Sequence, residues 1–508
     1  MHSTRTALSV VGAAIAVLAL AGCTTTTTTG SPDTSEAPLA EEQELIVGVQ
    51  FPIEGLDPHG ALSQDGGTGL AAEAIFSNLL KTTGAGEFEG ELAESWESNE
   101  DASEWTFTLR DDIVFSDETP VTSEDVVASF ERLLALAGPL AGNFKDYTVA
   151  APDETTVVFT PPASDAALLG KLVNFVVTPA DVDEASFSEP VGSGAFMVDE
   201  FVPGSSLRLV PNPNYWDGVP TLESLEMRTI PELAARITAL QTGEIQAAWG
   251  MPDDQVTMLR EDSGLVVETI PSAAVLTMWM NSSTPALADA EVRRALWQAV
   301  DFETIIASLF PETGSLADSP VAPNVLGYAP QEAVGFDPEA AKAALDEAGF
   351  DYSTVLRFQY SQPQFAEVTK AVASDLAEIG VQVEVLEKEQ AVFLEDLLAL
   401  NWDINIQQLG SAGFDAATNL GRLYTCAANR MGYCNPDLDE LLAAAGSTGD
   451  VEEREALYAD AIEIIWNDAV GMYPMFVETA YAWQSNVQGF EPAPDGRVDF
   501  SGVSIAAE

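Results

Sequence analysis

Side chains able to do covalent or metal chemistry are scarce in this chain. Its 508 residues hold two histidines, His2 and His59, and three cysteines, Cys23, Cys426 and Cys434. His2 lies in an N-terminal segment that carries the marks of a removed leader, which leaves His59 as the one imidazole for base or metal work. Histidine triads, HExxH zinc sites and paired-histidine metal centres are thereby excluded. Ser193, in the turn cluster Gly-Ser-Gly-Ala-Phe, has the setting of an acyl-transfer nucleophile but lacks any sequence sign of the positioned base it would need. Carboxylates are the opposite case: Asp and Glu number 81, so a pair at glycosidase spacing arises by chance, and no local pattern marks one. No catalytic residue, metal ligand or cofactor is assigned. Cys426 and Cys434 form an even pair after the leader and read as a disulfide in an exported chain. Closing so short a loop contributes about 2.5 kcal/mol in the chain-entropy account and pins the segment Tyr424 to Asn435.

The elements that must position any site belong to more than one packed body, because a single hydrophobic core stops growing well short of 508 residues. Lys plus Arg total 20 against the 81 acids, a formal charge of −61. Such a surface repels nucleic-acid phosphates and anionic lipid headgroups, so nucleic acid is excluded as a partner. Hydrophobic residues make up 46% of the chain, which places the acidity on the outside of folded bodies rather than in a disordered chain.

Residues 2–6 carry one Arg and no acid, and Ala7 to Ala21 form an apolar run. The run is shorter than the ~20 residues a spanning helix needs and reads as a signal-peptide core. It ends in Leu20-Ala21-Gly22-Cys23, which resembles the bacterial lipobox, with Cys23 the lipid-accepting thiol. From Thr24 to Glu44 the chain is built of Thr, Ser, Pro, Gly and acids without apolar periodicity. It is expected to be a disordered tether spanning about 25 Å.

Beyond the tether the period alternates between helix and strand. LIVGVQF from Leu45 is a buried strand, Gly69 to Leu80 has helical spacing, and Trp105, Phe107 and Leu109 alternate with polar residues. Thr122 to Asp125 forms a capping box with Asp in the place of Glu. Asp337, Pro338 and Gly349 mark the N-cap, first turn and stop of another helix. The strands TVLRFQY, VQVEVLE and DINIQQL then alternate with helices, predicting an α/β architecture with a mostly parallel sheet covered on both faces. No repeat of 20 to 50 residues is visible.

Six stretches taken in order, GLDPHG (55–60), residues 90–133, PVGSGAFMV (190–198), residues 213–248, residues 289–306 and AAKAALDEAGF (340–350), resemble the bacterial extracellular solute-binding family 5. Members feed oligopeptide and dipeptide ABC transporters and nickel uptake. The resemblance implies a two-lobed periplasmic-binding-protein-like fold with a hinge and an additional domain in the N-terminal lobe. Carried over, residues 1–22 are the lipoprotein signal peptide and 23–44 the lipidated Cys23 with its tether. Residues 45–82, 188–272 and 486–508 build lobe I, 83–187 the additional domain and 273–485 lobe II. It further implies a non-enzymatic, extracytoplasmic receptor; the lipobox adds lipid anchoring to the outer face of the membrane, and the long Thr-rich tether points to a Gram-positive cell. Its expected partners are ABC permease subunits and a small solute, most simply an oligopeptide or dipeptide, with the membrane reached through the anchor alone and the protein a monomer. An oligosaccharide, a metal chelate or another solute on the same scaffold is the alternative, and an exported acidic hydrolase the remote one.

Ligands of open α/β sheets bind beyond the carboxyl ends of strands. The candidate contacts are accordingly Trp249, Trp279 with Asn281, Tyr360 with Gln362, and the loop from Gln408 through Gly410 and Phe414 to Asp415. Asp415 offers a carboxylate for an ammonium group, although the loop lacks the Trp and Asp-Pro that peptide-binding relatives carry there. Arg357 and Arg422 are candidates for an anionic ligand end. The acid excess generates one prediction independent of the ligand. Self-repulsion relaxes as counterions screen it, so the melting temperature should rise between dilute buffer and moderate salt. A flat or falling melting curve over that range would refute it.

Overall fold

Strand Glu44–Val49 buries Leu45, Val47, Gly48 and Val49 because it has a parallel neighbour on each side, Ser224–Thr229 and Ala247–Trp249. The structure, a computed structural model, describes residues 38–84 and 86–507, so Cys23, the signal peptide and the tether up to residue 37 lie outside the described residues. The last tether residues depart from expectation. Leu39 bridges to Ala506, Ala40 N–H donates to the Ile505 carbonyl at 2.8 Å, and Gln43 is buried with its amide on Ile505. The C-terminal return supplies these partners, which local composition could not reveal.

One sheet runs through most of the chain. Its order is Phe196–Val202, Ser206–Pro211, Ser224–Thr229, Glu44–Val49, Ala247–Trp249, Gly471–Gln484, Leu265–Met280, Ile404–Gly410, Val355–Tyr360 and Gln382–Glu387. Parallel pairing was expected to dominate, but the sheet is mixed. Two parallel groups, Ser224–Thr229 with Glu44–Val49 and Ala247–Trp249, and Ile404–Gly410 with Val355–Tyr360 and Gln382–Glu387, are joined by Leu265–Met280 and Gly471–Gln484, which run antiparallel to each other and to the strands beside them; Phe196–Val202 and Ser206–Pro211 add an antiparallel edge. Residues 265–271 pair with 484–478, and residues 275–279 with 476–471, with a register break between Pro271 and Val275. Proline has no N–H for the ladder and is tolerated in a strand interior at such a break.

That break divides the cores. On one side Leu45, Val47, Leu207, Leu225, Met227, Tyr481 and Trp483 pack together. On the other, Met278, Trp279, Leu296, Trp297, Phe358, Ile404, Trp466 and Tyr473 form a larger core. Tyr481 and Trp483 pack in the first core, and Ala480 and Ala482 in a separate small core with Ile237, Leu240 and Leu259. A third core, built on the small sheet holding Trp105–Leu109 and Thr156–Thr160, contains Phe107, Phe130, Phe144, Phe159 and Phe175. Their rings meet edge to face at 5.5–6.4 Å, the arrangement aromatic quadrupoles favour. No helix of the described residues is long and apolar enough to cross a membrane.

Local signals hold where they are short-range. Thr122 N–H donates to the Asp125 carboxylate at 2.8 Å, completing the capping box of helix Ser123–Leu136. Asp337 caps Pro338–Glu347, and Gly349 follows with a φ of 71°, the left-handed stop that glycine adopts without strain. Cys426 and Cys434 are joined, with Cα atoms 4.4 Å apart.

Asp415 requires correction. It is 2% exposed, and its carboxylate receives the Arg454 guanidinium at 2.6 Å, the Tyr458 hydroxyl and the Ala417 N–H. Tyr458 belongs to the larger core, Ala417 packs against it and Arg454 is buried, so the group expected to meet a ligand is an interior cross-link. Asp415→Asn should therefore cost about 3 kcal/mol of unfolding free energy by leaving Arg454 buried without its charge partner. Ligand affinity of the folded variant should stay within about threefold of the wild type. Denaturant unfolding and calorimetry would separate the two; a large affinity loss with unchanged stability would contradict this assignment.

Candidate functional site

A cleft of about 610 Å³ opens where the two long strands change partners. Ser272, Ala273 and Ala274 from the register break line it, with Thr479 from the opposite strand. The break is held by the Ser272 hydroxyl, which donates to the Val477 carbonyl at 2.7 Å, and by Ser411 N–H, which donates to the Ala273 carbonyl at 2.9 Å. Its volume suits a ligand of a few hundred daltons.

Of the sequence candidates, Trp249, Gln408, Gly410 and Phe414 line this cleft. Trp249 ends its strand beside Tyr481, with the rings stacked at 5.8 Å. Gly410 pairs with Ala274 across the handover, and a Cβ there would meet no atom nearer than 4.0 Å, so the space above its backbone is open. Gly413 has a different use. It takes a φ of 67°, and a Cβ would fall 2.0 Å from the Gly170 carbonyl oxygen, so glycine there lets the loop touch the Leu168–Leu172 helix rather than a ligand. Phe414 follows with a φ of 54°, unusual for a bulky residue and favoured only where surroundings hold it.

Trp279, Asn281, Tyr360 and Gln362 lie elsewhere. Trp279 is 1% exposed and its indole N–H donates to the Tyr424 hydroxyl; the Asn281 amide donates to the Leu400 and Trp402 carbonyls. The carboxyl-end rule presumed parallel strands, whereas Leu265–Met280 runs antiparallel to Ile404–Gly410, so its carboxyl end points away from the cleft. Val355–Tyr360 is parallel to Ile404–Gly410, but Gln359 faces Asn405. Tyr360 thus stops level with Ile406, roughly 13 Å short of Gly410 at the strand rise per residue. Its hydroxyl meets Glu387, and Gln362 opens the short turn Pro363–Phe365. Arg357 is held by Asp403 at 2.9 Å, and Arg422 donates to the Thr418 carbonyl in the short turn Ala416–Thr418 just before its helix. The Ser193 hydroxyl is buried without a hydrogen-bond partner. His59 is buried between the Val176 carbonyl and Arg132, and burial lowers its pKa to about 4.

Several cleft residues were not among the sequence candidates. The glycine-rich start of helix Gly66–Ile75 forms one wall, with Asp65 capping its N-terminus through Gly67 N–H. The segment Pro494–Arg497 of the C-terminal return forms another. Among the described residues Arg497 is the one cation on the lining; it pairs with Asp495 at 3.3 Å and donates to the Asn174 side chain and the Val173 carbonyl. Three of its five N–H groups are thereby engaged. Glu73, the one charged residue of its helix, completes the set of charges. Burial raises its carboxyl to about 7, against the lowering pull of Arg497.

Residues 87–431 match the sequence profile of the bacterial extracellular solute-binding proteins, family 5 Middle. The "Probable D,D-dipeptide-binding periplasmic protein DdpA" of Escherichia coli (strain K12) is 30% identical over 471 residues, covering 88% of this chain and 91% of its own. The "Probable di/tripeptide-binding protein 5" of Pseudomonas aeruginosa (strain UCBPP-PA14) is 27% identical over 491 residues, covering 86% and 91%. The crystal structure of the ABC transporter substrate-binding protein CtaP from Listeria monocytogenes superimposes with a TM-score of 0.84 at 26% identity, over 92% of this chain and 100% of that one. With its two lobes, mixed α/β sheet and additional domain, this chain belongs to the bacterial extracellular solute-binding proteins of family 5.

Proposed function

We propose that the protein captures a short peptide in the cleft and presents it to the permease of an ABC transporter, without transforming it. The observation that carries this reading is the position of the cleft at the strand handover between two separately packed lobes. A ligand touching both walls favours the closed arrangement by its differential affinity, and the handover is where two rigid bodies can pivot with little loss of packing. Support for a peptide comes from the lining, which offers charges of both signs, the Trp249 ring and an unobstructed backbone at Gly410. Relatives named for dipeptides and tripeptides point the same way. In this reading Trp249, Gln408, Gly410 and Phe414 contact the ligand, and residues 271–275 with 476–478 act as the hinge. The buried serine and the neutral, buried His59 offer hydrolysis no nucleophile and base pair. Cys23 anchors the mature monomer by lipid to the outer face of a Gram-positive membrane, where the permease lies.

Mass spectrometry of small molecules co-purifying from rich medium should identify short peptides, and adding them to stripped protein should shrink the radius of gyration in small-angle scattering. A sugar or chelate in their place, or an unchanged profile at saturation, would overturn the peptide or the hinge respectively. Cys23→Ala should release the protein into the medium and abolish incorporation of a labelled lipid precursor. Undiminished membrane attachment would defeat the anchor.

A further inference from the structure

The acids of the cleft differ in what they already hold. Asp65 accepts the Gly67 N–H as a helix cap, and Asp495 accepts the Arg497 backbone N–H and pairs with its guanidinium. Asp415 is sealed behind the wall with Arg454. Glu73 has no hydrogen-bond donor among the described residues. It is also the one residue that borders both the cleft and a smaller cavity of about 20 Å³ beneath it, which Lys81, Glu91, Tyr215 and Asp499 line. From these placements we infer that Glu73 receives the cationic end of the ligand, so that the protein selects peptides with a free amine. The inference rests on the peptide reading above.

The charges around Glu73 come from every element packed against it. The C-terminal return brings Asp495, Arg497 and Asp499; Lys81 comes from strand Leu80–Gly84; Glu91 and Tyr215 face it across the small cavity. Arg497 is paired with Asp495, and Lys81 lies 3.9 Å from Asp499. Each cation is thus balanced by an aspartate, and the two glutamates are the surplus. Glu91 already accepts the Asn78 N–H at 2.8 Å and borders the small cavity without lining the cleft, and burial lifts its carboxyl to about 8. Glu73 remains, facing the ligand space. An ammonium group against it gives this half-buried carboxyl the charge partner it lacks, and the carboxyl ionises as the ligand enters. A proton is therefore released on binding near neutral pH. The sign is fixed: the ligand cation prefers ionised Glu73, so affinity falls as pH drops through the region of its pKa.

The test uses D-alanyl-D-alanine and L-alanyl-L-alanine, each with a free and an N-acetylated amine, titrated calorimetrically into the full mature protein and its Glu73→Gln variant. Acetylation should weaken binding of the better dipeptide to the wild type by about thirtyfold or more. Glu73→Gln should weaken the free dipeptide comparably and leave the acetylated one unchanged. Between pH 7.5 and 5.5 wild-type affinity should fall by about tenfold or more, and the variant's should stay nearly flat. If the acetylated dipeptide binds as well as the free one, or Glu73→Gln binds like the wild type, the assignment of Glu73 is overturned while peptide capture stands. If neither free dipeptide binds the wild type, the peptide reading falls and this inference falls with it. Should the variant fail to fold, the wild-type comparison of free and acetylated probes with its pH series decides alone.

Discussion

Pro271 cannot donate to a strand ladder, and beside it the pairing of Leu265–Met280 with Gly471–Gln484 breaks register. On one side of the break these strands continue a sheet through Ala247–Trp249, and on the other through Ile404–Gly410. Because each half of each strand is committed to a different core, no single core can close over the junction, and the junction stays concave. The cleft is the consequence. Its walls are the strand segment Ser272–Ala274, which the break leaves unpaired with Gly471–Gln484, the end of the Ala247–Trp249 strand and the end of Ile404–Gly410. Two rigid bodies joined by two continuous strands also have few ways to move, which is why the proposed closure takes the form of a hinge.

The same economy governs charge. With four acids to every base, the guanidinium groups are used as interior cross-links. Arg236 donates to the Ile230 and Pro231 carbonyls, and Arg293 ties the Leu287 and Ala288 carbonyls to Ala469 at the end of helix Val451–Asn467. Arg132 grips Asp57 with two bonds of 2.7 Å, which anchors the Gly55–Gly60 turn onto the additional domain. Arg454 does the same for Asp415. Each fills carbonyls or a carboxylate that burial would otherwise leave unpaired, at helix ends above all. Arg497 alone among the described cations serves both as cross-link and as cleft wall.

What could be read from the chain followed interaction range. The capping box at Thr122–Asp125 and the Asp337-Pro338 helix start depend on residues within a few positions, and their types declare them. The handover depends on residues about two hundred apart, and in the sequence Pro271 looks like an ordinary interruption. Without strand direction the carboxyl-end rule placed Trp279, Asn281, Tyr360 and Gln362 at the ligand, whereas the same rule found Trp249, Gln408, Gly410 and Phe414 on the lining. Asp415 was legible as a carboxylate in the right loop, but Arg454, which occupies it, comes from a distant helix. Glu73 did leave a trace: a lone acid among small apolar residues of a buried helix is a local conflict, and such conflicts collect at functional sites.

An acid surplus inside a closing cleft has a thermodynamic meaning. Closing the lobes over an empty cleft removes water from Glu73 and raises the cost of its charge, so the empty closed form keeps it protonated or reopens. Surface charge elsewhere does not enter this balance, since it is screened beyond about 10 Å at ordinary ionic strength. A ligand cation reverses the sign at the moment of closure, because its attraction for the carboxylate grows as water leaves. The closed state is then stabilised by the ligand's charge as well as its shape.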